Sequence, residues 1–213
     1  MITRNQKNFG LSNSIPPVTL NILIVTTLAF LADVVLERIG IYLIQYLALF
    51  PVASDYFMPH QIITHMFMHG SIGHLFFNMF AVFMFGRTLE TVWGPRKFLT
   101  YYLLTGIGAG LTQLLVTAIA GSMVPTVGAS GAVFGILVAF GMMFPNAQLF
   151  IIPFPFPIKA KWLVIGYGLF ELLSGITNNA DDNVAHFAHL GGLLTGVIIL
   201  LIWRYKNKRN GYY

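Results

Sequence analysis

Charge is scarce in this chain. Aspartate, glutamate, lysine and arginine make up 9% of its 213 residues, where a water-soluble domain carries roughly 25%. So little charge cannot cover a water-facing surface, which excludes a soluble globular domain. Cysteine is absent altogether. Its absence removes disulfides, a thiolate nucleophile and any cysteine metal site, and leaves the redox compartment unread. A basic groove interleaved with aromatics is also lacking. The basic residues stand at segment ends, which speaks against nucleic acid as a partner. The opening stretch, MITRNQKNFGLSNSIPP, has no apolar signal-peptide core. The first hydrophobic segment is therefore expected to stay as a membrane anchor.

What is present is long apolar runs. Hydrophobic residues make up 56% of the chain, and a membrane-spanning helix needs about 20 of them in a row. The sequence predicts an all-α, polytopic membrane protein with six spanning segments. They lie near Val18–Leu36, Gly73–Val92, Phe98–Ala120, Ala129–Phe144, Trp162–Ile176 and Val184–Trp203. Residues 1–17 form an N-terminal tail, 18–203 the membrane domain and 204–213 a basic C-terminal tail. The long link between the first two segments holds IYLIQYLALFP (41–51), which reads as interfacial or re-entrant, with a seventh span as the alternative. IIPFPFPIKAKW (151–162) reads as a surface loop, because its prolines remove donors and fix φ. The aromatics, mainly Phe, read as lipid-facing bulk, with Trp93, Trp162 and Trp203 as anchors near segment ends.

Cytoplasmic loops of membrane proteins are enriched in lysine and arginine. Placing both termini on the cytoplasmic side puts eleven of the twelve basic residues there and leaves only Arg38 outside. The outer loops then carry Glu37, Asp55, Asp181 and Asp182. In that orientation Ser130 heads the fourth segment, His74 and Asn78 lie in the first turns of the second, and His189 lies early in the sixth. All of them fall toward the outer face. Polar side chains within a bilayer are costly and mark a cavity or a reaction site. The fourth segment is also short, which submerges Ser130 at the floor of a dent open to the outside.

A serine hydroxyl becomes a useful nucleophile only when a base takes its proton. His189 is the natural base. His186, one turn earlier, competes with it by residue type and otherwise reads as structural or cavity-lining. Gly192 and Gly196 follow His189 on one helix face, while Gly128, Gly131 and Gly135 surround Ser130. Small residues at such spacing let helices approach closely. Gly128 and Gly131 also free the backbone beside Ser130, whose N–H lies at a helix start and can face an oxyanion. His74 and Asn78, four apart, share a face and both can donate to an oxyanion. No carboxylate stands close to His189 in sequence apart from Asp181 and Asp182, so a Ser–His dyad is the economical reading.

GASG (128–131), HLFFN (74–78) and AHLGGLLTG (188–196), in this order and in these segments, resemble the rhomboid family of intramembrane serine proteases. The resemblance runs from about residue 18 to 203 and includes the acidic residue of GRTLE (86–90). It implies a six-helix fold with a long interfacial loop between the first two helices. It implies Ser130 as nucleophile, His189 as base, and His74, Asn78 and the Ser130 N–H as oxyanion stabilisers. It implies no metal or organic cofactor. The substrates would be single-pass membrane proteins cut in or near the membrane, at a small residue with helix-destabilising neighbours, and the fifth segment would be their gate. Phe134, four residues after the serine, departs from the tyrosine of many members; it can still stack on an imidazole. Membrane lipid is the other expected partner, and the bacterial plasma membrane the expected location. Oligomeric state is left open.

Three blander readings compete. Ser130 and His189 alone suit ordinary helix packing. The run His60, His65, His69 and His74 suggests metal, with His65 and His69 four apart, yet no HExxH motif or nearby carboxylate supports one. Hydrogen bonds to loop carbonyls suit His65 and His69 better, and His69 can also frame the cavity. Glu171, inside the fifth segment, reads as an acid that pins its helix, with gating or acidifying the cavity as the alternatives. At the level of function, a catalytically silent module that grips transmembrane helices is the main rival, although such relatives typically lose the serine or the histidine. A proton-relay transporter would need polar residues in the inner halves of the segments, which are nearly all apolar.

Overall fold

The computed structural model describes residues 15–150, 156–177 and 185–209. Arg4, Lys7, Pro153, Pro155, Asp181 and Asp182, which entered the orientation and loop readings, lie outside the described residues. The first helix, α1 (Pro17–Glu37), begins with a proline at its first position, where no N–H is needed. Its N-terminus has no side-chain cap of its own. Glu90 supplies one from elsewhere. The Glu90 carboxylate accepts from the Val18 N–H at 2.9 Å, the Thr19 N–H at 2.7 Å and the Thr19 hydroxyl at 2.7 Å.

Residues 41–51 contain only the four-residue helix α2 (Ile44–Leu47) and a bridge from Leu49 to Thr126. No spanning helix forms there, because the run is short and ends at Pro51. Helix α3 (Gln61–Thr64) and a 3-10 turn (His65–Phe67) follow. Then α4 (Ile72–Ala81), a π-turn (Val82–Gly86) and α5 (Arg87–Trp93) run as one continuous helical rod. Gly94, at φ +81°, breaks it, and Pro95 starts α6 (Pro95–Ala120). Helix α7 (Ser130–Met143) is followed by a two-residue antiparallel pair, β1 (Gln148–Leu149) with β2 (Ile158–Lys159). This small ladder departs from a purely helical expectation and closes the proline-rich link; helix resumes directly after it, in α8 (Ala160–Thr177). Helix α9 (His186–Arg209) completes the described chain.

The chain is mostly helical. Among the described residues, four helices are long and apolar enough to cross a membrane: Pro17–Glu37, Ile72–Trp93, Pro95–Ala120 and His186–Lys208. Helix α7 is apolar but has only 14 residues, and α8 is interrupted by Lys161 and Glu171. All six expected segments are thus helical, but four meet the length and composition of a span.

Helix α7 packs against both α6 and α9, and ten of its fourteen residues are buried. The approach to α9 is close enough that a Cβ on Gly192 would collide with the Gly131 carbonyl oxygen. Two backbones in contact leave nothing able to yield, so glycine is required there. Tyr101, fully buried on α6, donates its hydroxyl to the Gly135 carbonyl at 2.8 Å. Near the other end of α9, Trp203 packs edge-on against Trp93 at 5.5 Å, and the Lys97 ammonium lies 4.4 Å from the Trp203 ring centre. Trp93 and Trp203 therefore join helices to each other rather than facing outward alone.

Candidate active site

Ser130 is the first residue of α7, and the segment before it is held by the loop that follows α1. Leu49 and Thr126 exchange both backbone hydrogen bonds at 2.9 Å, and the Gly128 N–H donates to the His65 carbonyl at 2.9 Å. The loop itself is organised by a buried glutamine. The Gln61 side-chain oxygen accepts from the Phe50 and Met58 amides at 3.2 and 3.1 Å, and its nitrogen donates to the Tyr56 carbonyl at 2.9 Å. These ties satisfy backbone polar groups around the fully buried Gln61 side chain.

The loop histidines serve the same scaffold. His60 meets the Tyr46 carbonyl at 2.8 Å and His65 meets the Gln61 carbonyl at 2.8 Å. His69 accepts, at a long 3.5 Å, from the Ala129 N–H just ahead of Ser130. Burial pushes the His65 imidazole down to about 4, against the pull of its backbone hydrogen bonds. Burial also pushes His69 down to about 4, with the neighbouring His74 acting in the same direction. Both rings are therefore neutral at pH 7, as acceptors and donors of backbone hydrogen bonds rather than as cations.

Gly128 adopts φ +121°, a region that side-chain-bearing residues rarely enter. A Cβ there would also stand 2.7 Å from the His74 ring and 3.6 Å from the Ser130 hydroxyl oxygen. The glycine is thus favoured twice, by its backbone angle and by the His74 ring that flanks it. His74 sits in the first turn of α4, whose N-terminus is capped by the Ser71 hydroxyl accepting from the His74 N–H at 3.1 Å. Asn78 is buried one turn on and donates to the His74 carbonyl at 2.9 Å. Among the described contacts, none joins Asn78 directly to Ser130.

His189 closes the arrangement from α9. Its Nε2 lies 2.7 Å from the Ser130 hydroxyl oxygen, across 59 residues of sequence. Phe134, one turn into α7, stacks on the His189 ring at 4.6 Å with the planes 11° apart. His186 does not take this place; its Nδ1 lies 2.6 Å from the Glu171 carboxylate of α8. The same carboxylate oxygen is 3.0 Å from His189 Nδ1. Sequence spacing showed no acid beside His189, and this is the correction the fold makes. The acid arrives from α8 through the packing of α8 on α9, which no local spacing reveals. The one signal available was the isolated acid within an apolar segment.

The structure thus gathers Ser130, His189, His74, Gly128 and Phe134 at the head of α7. It places Gly131, Gly192 and Gly196 at the helix contacts beneath them, and it adds Glu171. Ser130 and His74 keep partial exposure while His189, Asn78 and Glu171 are buried. A family model described as the Rhomboid domain matches residues 57–206.

The chain belongs to the rhomboid family. Among curated proteins, this rhomboid is 33% identical over 146 residues to Rhomboid protein 1, mitochondrial, of Saccharomyces cerevisiae; the match covers 65% of this chain and 40% of the yeast protein. It is 27% identical over 181 residues to Presenilin-associated rhomboid-like protein A, mitochondrial, of Danio rerio, covering 76% and 43% of the two chains. It is 29% identical over 138 residues to Rhomboid protease GluP of Bacillus subtilis, covering 64% and 24%. The chain spans less than half the length of each of these three relatives. The names carried by relatives are mitochondrial and chloroplastic as well as bacterial, so they do not support the bacterial plasma membrane expected from the sequence. Integral, multi-pass membrane insertion stands.

Proposed function

We propose that this rhomboid is an intramembrane serine endopeptidase that hydrolyses peptide bonds in or near the transmembrane segments of membrane proteins. The observation that carries this reading is the 2.7 Å approach of His189 Nε2 to the Ser130 hydroxyl. In this mechanism Ser130 attacks the scissile carbonyl carbon and its proton passes to His189 Nε2. The carbonyl oxygen becomes an oxyanion, met by the Ser130 N–H at the start of α7 and by His74 and Asn78. The intermediate collapses as His189 returns the proton to the leaving amine. Water then attacks the acyl ester with His189 again as base, and the serine is regenerated. The reading needs no metal or organic cofactor.

Several features of the setting belong to the same proposal. The domain runs from 18 to 203, with tails 1–17 and 204–213 on the cytoplasmic side. Helices α7 and α8 complete six crossings, the loop after α1 lies at the membrane interface, and the site opens to the outer side. At 14 residues, α7 is roughly 21 Å long by its rise per residue, against a hydrocarbon core of about 30 Å. A helix that falls short of the bilayer leaves its head in a dent that water can enter, which hydrolysis needs. Helix α8, with only two of its eighteen residues buried, is the gate for single-pass substrates. The basic residues support an orientation relative to the two faces of a membrane, whichever membrane it is.

Cleavage of a single-pass reporter in liposomes tests the reading. Wild type should cut, and Ser130→Ala and His189→Ala should each lose at least about 1,000-fold in kcat, as serine enzymes do when nucleophile or base is removed. Binding of several reporters without any cutting by wild type would favour the silent helix-gripping module instead. Cutting by Ser130→Ala would remove Ser130 as nucleophile.

A further inference from the structure

We propose that Glu171 is a positioning residue for His189, so that the site works as a Ser130–His189–Glu171 relay whose carboxylate is delivered by α8. This rests on the Ser130–His189 reading above.

The argument starts from the imidazole. For His189 to take the serine proton at Nε2, the other ring nitrogen, Nδ1, must carry a hydrogen. That N–H is buried, and a buried donor without an acceptor is costly. Glu171 Oε2 lies 3.0 Å from it, although the contact is not yet lined up as a straight hydrogen bond. Proton transfer from Ser130 makes the ring a cation. The contact then becomes charge-assisted and strengthens where it is needed, in the transition state.

The groups around the ring leave few other ways to orient it. Phe134 from α7 covers one face. Ser130, also from α7, holds Nε2. His74 from α4 is within electrostatic reach, and His69 packs edge-on against His74 at 4.9 Å. His186 lies on α9 itself, its ring 6.4 Å from that of His189. Glu171 is the carboxylate that reaches His189 from α8, and His186 Nδ1 anchors it at 2.6 Å from the far side. The carboxylate is thus fixed between two imidazoles and only 5% exposed. Orientation of the base consequently depends on α8 being seated on α9. A substrate that displaces α8 would loosen His189, and chemistry would wait for α8 to return.

A structural pin between α8 and α9 would use the same Glu171–His186 contact, so the test must separate the two. Reconstituted wild type, Glu171→Gln, Glu171→Asp, His186→Ala and Ser130→Ala are compared by reporter cleavage across pH and by the labelling rate of Ser130 with a fluorophosphonate. Glu171→Gln keeps size and hydrogen-bonding capacity but loses charge. It is expected to lower kcat and the labelling rate at least tenfold with KM nearly unchanged. The acid limb of its pH–rate profile should move to lower pH, because a negative charge beside the imidazolium is gone. Glu171→Asp should recover part of the rate, and His186→Ala should cost less than Glu171→Gln.

Wild-type kcat and an unmoved acid limb in Glu171→Gln would overturn the relay while leaving the Ser–His reading intact. So would equal losses in His186→Ala and Glu171→Gln accompanied by equal falls in thermal stability, which is the signature of a pin. The carboxylate and the two ring nitrogens lie within 4.8 Å of one another, close enough for one cation, so chelation is the control. Cleavage unchanged by a chelator is expected, and loss of cleavage restored by zinc would overturn the relay. Failure of wild type to cut or label, or cutting by Ser130→Ala, would sink the underlying reading and the relay with it.

Discussion

Helices α7 and α8 each bring a polar side chain to the same histidine, and they could hardly be packed more differently. Ten of the fourteen residues of α7 are buried, and its head is tied by backbone hydrogen bonds to the loop after α1. In α8, Ala160 and Glu171 are the only buried residues among eighteen. Trp162, Leu169, Phe170 and Leu173 are exposed along it. One helix is a buried floor of the site and the other an exposed wall. The contrast teaches that Ser130 needs a position, while Glu171 needs only a docked state. A close-packed interior transmits any change in volume; a helix with two buried residues in eighteen transmits less.

The largest effect should come from the floor. Gly192→Ala sets a methyl group against the Gly131 carbonyl oxygen, where only backbone can move. Overpacking of this kind costs about 1–3 kcal/mol or more. The expected outcome is loss of monodisperse, folded protein on size-exclusion chromatography in detergent. A well-behaved Gly192→Ala with wild-type melting would break the claim that α7 is immovable. Gly128→Ala comes next. It imposes backbone strain at φ +121° and a collision with His74. With strain of about 1–3 kcal/mol, reporter cleavage should fall roughly 10- to 100-fold while the fold survives. Unchanged cleavage would show that the head of α7 has freedom the geometry denies it.

The third effect is one of pH. His65 and His69 both sit in the scaffold that clamps the floor, and both are depressed from 6.5 to about 4. At pH above 6.5 folded and unfolded chains alike hold them neutral. As pH falls from 6.5 toward 4, the unfolded chain binds protons that the fold refuses, so stability should drop through that window. A melting temperature in detergent that stays flat across it would mean the scaffold is looser than described. The smallest effect should come from the wall. Gly166 on α8 has nothing within 4 Å of a would-be Cβ. Gly166→Ala should leave folding and cleavage within about twofold, and gain up to about 1 kcal/mol in helix propensity. A large loss there would mean α8 packs more tightly than its exposure implies.

How much of this was legible in the sequence follows the same division. Ser130, His189 and the glycines between their helices could be read because each is marked by local spacing, and close helix contact has a small-residue signature. That Phe134 can stack on an imidazole was legible through the family resemblance, where it stands in place of a tyrosine, and it does stack on His189. Glu171 beside His189 was not legible, because the partner of a buried acid is set by how two helices cross. The duties of Gln61 and His65 were hidden for a related reason: they satisfy backbone groups of distant segments, and such bonds leave no periodic pattern. The six helical segments were readable from hydropathy. Which of them reach across a bilayer was less so, since α7 is short and α8 carries two charges.

The clasp of Glu90 on α1 has a mechanical consequence. Helix α1 buries only Thr19, Ile22 and Thr26 of its 21 residues, yet its first turn is gripped by three hydrogen bonds to one carboxylate. Such a helix has a pivot at one end and lipid along most of its length. Bilayers of different thickness are accommodated by tilting or sliding of helices. The pivot forbids the slide and leaves the tilt. A tilt about that pivot would move the far end of α1, where the chain turns into the loop whose His65 carbonyl holds the Gly128 N–H. Held by Glu90, α1 would meet a change in bilayer thickness as a change of angle rather than as a displacement along its axis.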